Sequence, residues 1–116
     1  MKRKEKEKNF FEFVPKKTEN IDWEINDKGL VQIIIWRNSW LDKIVQKIFK
    51  TPKKTIIDLD EIGSVVWKSI NGEKNIFNIS EVIEKELGSK AEPINERLVT
   101  YIKILKNNNF IELENK

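Results

Sequence analysis

The chain contains no cysteine and no histidine, and only four glycines and three prolines in 116 residues. Without cysteine there is no disulfide, no thiolate metal site and no cysteine-held iron–sulfur cluster. Without histidine the commonest general base, the commonest metal ligand and every Ser-His or Cys-His nucleophilic pair are excluded. The glycines at 29, 63, 72 and 88 stand singly, so there is no phosphate-cradling loop. A metal site would need oxygen ligands alone, and no loop carries acidic residues at the spacing for one. No cofactor is expected, and no enzyme. No apolar run approaches the ~20 residues of a membrane span. The charged N-terminus leads into no apolar segment with a small-residue cleavage site, so neither a signal peptide nor a membrane partner is expected, and the location expected is cytoplasmic.

What the chain has in quantity is charge, 35% of its residues. Of 22 basic and 19 acidic residues, five basic and two acidic fall in residues 1–8, which leaves 17 of each in the rest. The excess of positive charge is therefore a property of the first eight residues, which read as a disordered charged tail. The remainder is balanced, and a duplex-binding domain with a basic face is not expected. At this length one domain with a modest core is expected, as a monomer or dimer.

Residues 9–20 hold Phe10, Phe11, Phe13 and Val14, too apolar for a free tail, and read as an aromatic N-terminal extension that packs on the domain or docks a larger protein. The domain proper is read as 21–116. Trp23 and Ile25 alternate with polar residues, Asp27-Lys28-Gly29 forms a turn, and Leu30–Trp36 is strongly β-prone, which together predict a hairpin. The second strand is apolar on nearly both faces and is expected in the centre of its sheet, covered on more than one side. Ser39–Lys50 has a Ser-x-x-Asp start and Trp40, Ile44 and Ile48 at fourfold spacing, which predicts a helix inserted between strands two and three.

Next comes the run on which the rest of the chain is organised. Lys53 to Leu59 is β-branched and follows a proline, which predicts a strand; Asp60 is a good N-cap, and Ile62, Val66 and Ile70 recur every fourth residue. Gly63 costs roughly 1 kcal/mol against alanine in a helix and suggests close approach to another backbone. Trp67 is read as core support. Asn71-Gly72 stops this helix. Ile76–Leu87 predicts a second helix with Asn78 as cap and Gly88 as stop, and Pro93 opens a third with Ile94, Leu98, Tyr101, Ile102 and Leu105 as one stripe. Phe110–Leu113 is read as a short last strand. The sum is α+β: a three-helix bundle with a small, mainly antiparallel three-stranded sheet, organised like a winged helix-turn-helix.

Leu-Asp-Glu-Ile-Gly-Ser-Val-Val-Trp at 59–67, Asn-Gly-Glu-Lys at 71–74 and Ile-Ser-Glu-Val at 79–82 resemble the PqqD family, small winged-helix-like proteins related to the recognition elements of ribosomal peptide biosynthesis. The resemblance covers about residues 53–113, and the inserted helix at 39–50 departs from it. It implies a protein without catalysis of its own that binds a precursor (leader) peptide as an added strand and presents it to a modifying enzyme, often a radical SAM protein. Carried onto this chain, the edge strand is Lys53–Leu59, with Lys53 and Lys54 beside Thr55, Ile57 and Leu59. The groove wall is the third helix, with Arg97, Leu98, Tyr101, Ile102 and Leu105. Strand addition needs an open edge for backbone hydrogen bonds and side-chain pockets for choice. The alternative is a winged-helix DNA-binding regulator reading the major groove with Asn95, Arg97, Thr100, Lys103 and Lys106, opposed by the balanced charge and by the acidic second helix with Glu81, Glu84 and Glu86.

Overall fold

In the computed structural model, which describes residues 10–19, 21–36 and 54–115, five strands and three α-helices follow in the order β1 (Val14–Lys17), β2 (Asp22–Ile25), β3 (Val31–Trp36), β4 (Lys54–Asp58), α1 (Glu61–Ser69), α2 (Ile76–Leu87), α3 (Ile94–Asn107) and β5 (Ile111–Glu114). Short 3-10 turns lie at Phe10–Glu12 and Gly88–Ala91. The result is an α+β fold with two small antiparallel sheets, β2-β3-β4 and β1-β5. The charged tail at 1–8, the helix expected at 39–50 and Lys53 lie outside the described residues. No described helix is long and apolar enough to cross a membrane.

The hairpin is as the sequence reads. Asn26 N–H donates to Leu30 O, and Gly29 takes φ +80°, the left-handed position of a three-residue loop. The β2 register pairs Trp23 with Ile33 and Ile25 with Val31. β3 is central, with Val31 and Ile33 fully buried. Its other face is not covered as the apolar run suggested: Gln32 and Ile34 are half-buried and Trp36 is exposed. Only one face of this antiparallel sheet meets the helices.

α1 starts at Asp60, whose side chain accepts from Gly63 N–H, and it ends at Ile70, with Gly72 (φ +80°) in the turn beyond. Ile62, Val65, Val66 and Trp67 are buried, and Ser64, buried too, accepts Val31 N–H at 2.8 Å, which ties α1 to β3. Burying side chains of this size contributes ~1.5–3 kcal/mol each. α2 is capped by Asn75 rather than Asn78. Asn75 accepts Asn78 N–H at 2.7 Å and Asn78 accepts Asn75 N–H at 3.0 Å, a reciprocal box in which Asn78 is the third residue.

Residues 10–17 are built into the domain. Phe10, Phe11 and Phe13 pack against the core, Ile76 N–H donates to Phe13 O, and β1 pairs with β5 from Val14↔Glu114 to Lys17↔Ile111. Lys17 joins the two sheets: its ammonium lies 5.1 Å from the Trp23 ring and 5.0 Å from the Trp67 ring and donates to Ile70 O at 2.6 Å. Burial lowers its pKa from the usual lysine value.

Candidate functional site

Two features converge where β4 runs into α1: an open strand edge and a groove walled by α3. Among the described residues β4 pairs with β3 alone. Leu59 N–H donates to Val31 O, and the register places Ile57 opposite Ile33 and Thr55 opposite Ile35. Antiparallel pairs alternate between bonded and non-bonded, so Thr55, Ile57 and Leu59 spend their backbone groups on β3 while Ile56 and Asp58 direct theirs to the open edge. The side chains divide the other way. Thr55 and Ile57 lie half-buried on the helix side, whereas Lys54, Ile56 and Asp58 are exposed on the opposite face. The Lys54 ammonium sits 5.5 Å from the Trp36 ring, and Asp58 accepts from Gln32 Nε2.

The groove, about 420 Å³, is lined by Asp60, Pro93, Glu96, Arg97, Thr100, Tyr101 and Ile104. Asp60 has two roles here. It caps α1, and its Oδ1 also accepts the Tyr101 hydroxyl. Burial and the Asp60 contact hold the Tyr101 phenol well above its ordinary pKa, so the hydroxyl remains a donor. Arg97 donates to Lys90 O at 3.4 Å and borders a second, smaller depression with Asp60, Glu61, Ile62, Leu87 and Lys90. Its guanidinium is thus shared between the two hollows.

Gly63 explains how Tyr101 reaches Asp60. A Cβ at position 63 would lie 2.7 Å from Tyr101 Cε1. The close approach expected at this glycine is to an aromatic side chain of α3, not to a backbone.

Several expected groove residues are elsewhere. Leu98 and Ile102 are fully buried, Leu105 is 2% exposed and Leu59 7%. They belong to the hydrophobic core and are not exposed in the groove. Lys54, Thr55, Ile57, Arg97 and Tyr101 remain at or beside the edge and groove. Ile104, 49% exposed, was not anticipated. The signal was present: 97, 101 and 104 stand three and four apart and share one helix face. The sequence marks Asp60 only as a cap, and its bond to Tyr101 comes from tertiary packing. Among the described residues no three His, Cys, Asp or Glu side chains form a group that could hold a metal ion.

The chain matches no protein-family model, no curated protein and no solved structure, so the resemblance to the PqqD family rests on its motif alone.

Proposed function

We propose that this protein binds an extended peptide by strand addition at β4 and presents it to a peptide-modifying enzyme, without chemistry of its own. The reading treats β2-β3-β4 and the three helices as a winged-helix-like unit of the PqqD type. The observation that carries it is the pair of outward backbone positions, Ile56 and Asp58, on an edge that ends at the α3 groove. An added strand finds backbone donors and acceptors along β4. Arg97, Thr100, Tyr101 and Ile104 then supply a cation, hydroxyls and an apolar wall for its side chains. Arg97 and Lys90 stand among Asp60, Glu61 and Glu96 at that end, so the two cations offer partners to peptide carboxylates within a lining of mixed charge. A radical SAM protein is the class of modifying enzyme that the resemblance implies.

The test is an amide chemical-shift titration of labelled protein with leader peptides from the same source and, separately, with a mixed-sequence DNA duplex at moderate salt. Peptide should shift the amides of 54–59 and of the exposed α3 face, while DNA shifts none. Ile56→Pro removes an outward donor and leaves the β3 ladder intact, so it should abolish the β4 shifts in a folded protein. Salt-sensitive shifts along α3 with DNA alone would overturn the reading in favour of a DNA-binding regulator.

A further inference from the structure

The three-stranded sheet has a second open edge, and its chemistry differs. Among the described residues β2 pairs only with β3. Asn26 N–H donates to Leu30 O, so the alternation makes Glu24 and Asp22 the bonded partners of Gln32 and Ile34. Trp23 and Ile25 therefore direct their backbone N–H and C=O groups away from the sheet. Their side chains lie on the helix side, yet Trp23 is 37% and Ile25 50% exposed, so the core covers this strand only in part. Trp23 meets Trp67 edge to face at 6.2 Å and Lys17 beside it. What results is an apolar shelf next to a row of unpaired amides.

Charge says what would fit there. Glu19, Asp22, Glu24 and Asp27 are all exposed along the strand and its flanking turns, with Lys28 the one cation in residues 19–28. Asp22 accepts Trp36 Nε1, and among the described residues none of these carboxylates has an ion pair. A short strand with exposed charges is defended against other edges in part, and β2 is both short and charged. It lacks the lysine, proline or inward charge that would complete that defence, and its inward positions are tryptophan and isoleucine. A second copy does not fit: antiparallel pairing of β2 with itself would set Asp22 and Glu24 of one chain against those of the other on the same face, and like charges across strands destabilise.

From this edge we infer that β2 is a second docking strand, for an extended segment of a different protein in which Lys or Arg alternates with β-branched residues. The apolar side packs on Trp23 and Ile25, and the basic side meets Asp22 and Glu24. The inference does not rest on the β4 reading. If both hold, one sheet grips two chains at opposite edges, about 19 Å apart at four strand spacings.

The probe is a synthetic ten-residue peptide alternating Lys and Val, with a Glu–Val counterpart, titrated into labelled full-length protein. The Lys–Val peptide should shift the amides of Trp23 and Ile25, and the Glu–Val peptide should not. Ile25→Pro removes an outward N–H that the ladder does not use and should abolish these shifts; Ile25→Val keeps that N–H and should preserve them. Glu24→Lys with Asp27→Lys should raise Kd at least about tenfold. Folding of each variant is read from the α1 amides, and the β4 response to leader peptide should persist in Ile25→Pro. No shift at β2, equal shifts with both peptides, or shifts unchanged by Ile25→Pro would overturn the inference. So would light scattering that shows wild-type self-association abolished by Ile25→Pro, since the occupant would then be a second copy.

Discussion

Helices α1 and α3 lie against each other and do opposite work. In α1, seven of nine residues are buried, among them Ile62, Gly63, Ser64, Val65, Val66 and Trp67. In α3, Leu98, Ile102 and Leu105 are the buried residues of fourteen. The 59–67 stretch that opens the family resemblance is thus mostly interior, while the helix that walls the groove is mostly surface. The lesson is that a recognisable stretch can specify a scaffold while the exposed groove residues come from the helix beyond it. Arg97 and Ile104 belong to no part of the motif, and Tyr101 enters it only through the space that Gly63 leaves.

That contrast can be broken by substitution. Trp67→Ala should cost the most, about 3–5 kcal/mol of unfolding free energy in urea, because a fully buried indole leaves a cavity in the helical core. Gly63→Ala comes next. Its Cβ would force the Tyr101 ring aside, and a loss of about 1–3 kcal/mol is expected. Adding Tyr101→Ala should recover part of that loss, and a non-additive double-mutant cycle checks it.

Tyr101→Phe tests the same contact by pH. The folded-state pKa of Tyr101 lies above the ordinary value of 10.0, so the native state holds this proton more tightly than the unfolded chain does. Its contribution is whole below pH 10 and is lost as pH rises toward the folded value. Lys17, lowered in the folded state, works in the opposite sense and raises stability as alkaline pH relieves its buried charge. Denaturation at pH 9 and 11 should show a smaller alkaline loss in Tyr101→Phe than in the wild type. The smallest effect on stability is expected for Arg97→Glu, within about 0.5 kcal/mol, because the side chain lies at the surface and gives up one long bond to Lys90 O. The same substitution should weaken an acidic leader peptide severalfold in the titration.

What could be read from the sequence was what local pattern determines. The hairpin announces itself through Asp27-Lys28-Gly29 between alternating runs, α1 through Asp60 and its fourfold aliphatics, and α3 through Pro93 and its stripe. β1 could not be read in this way. Val-Pro-Lys-Lys has no alternation, and its partner Ile111–Glu114 lies at the far end of the chain, so only tertiary pairing makes it a strand. The groove was half legible for a related reason. Periodicity shows that Leu98, Ile102 and Leu105 share a stripe, but not that this stripe faces the core while Arg97, Tyr101 and Ile104, one step around the helix, face out.

The pairing of β1 with β5 also bears on how the domain assembles. It joins residues 14–17 to residues 111–114, so almost the whole described chain lies inside the loop it closes. The entropy of closing so long a loop is repaid only after the helices and the hairpin have brought its ends together. This clasp is therefore expected to form late in folding. Weakening it, for instance at Val14 or Ile111, should leave the folding rate nearly unchanged and hasten unfolding. Residues 14–17 and 111–114 are then expected to govern how long the fold persists, and the segments between them how fast it forms.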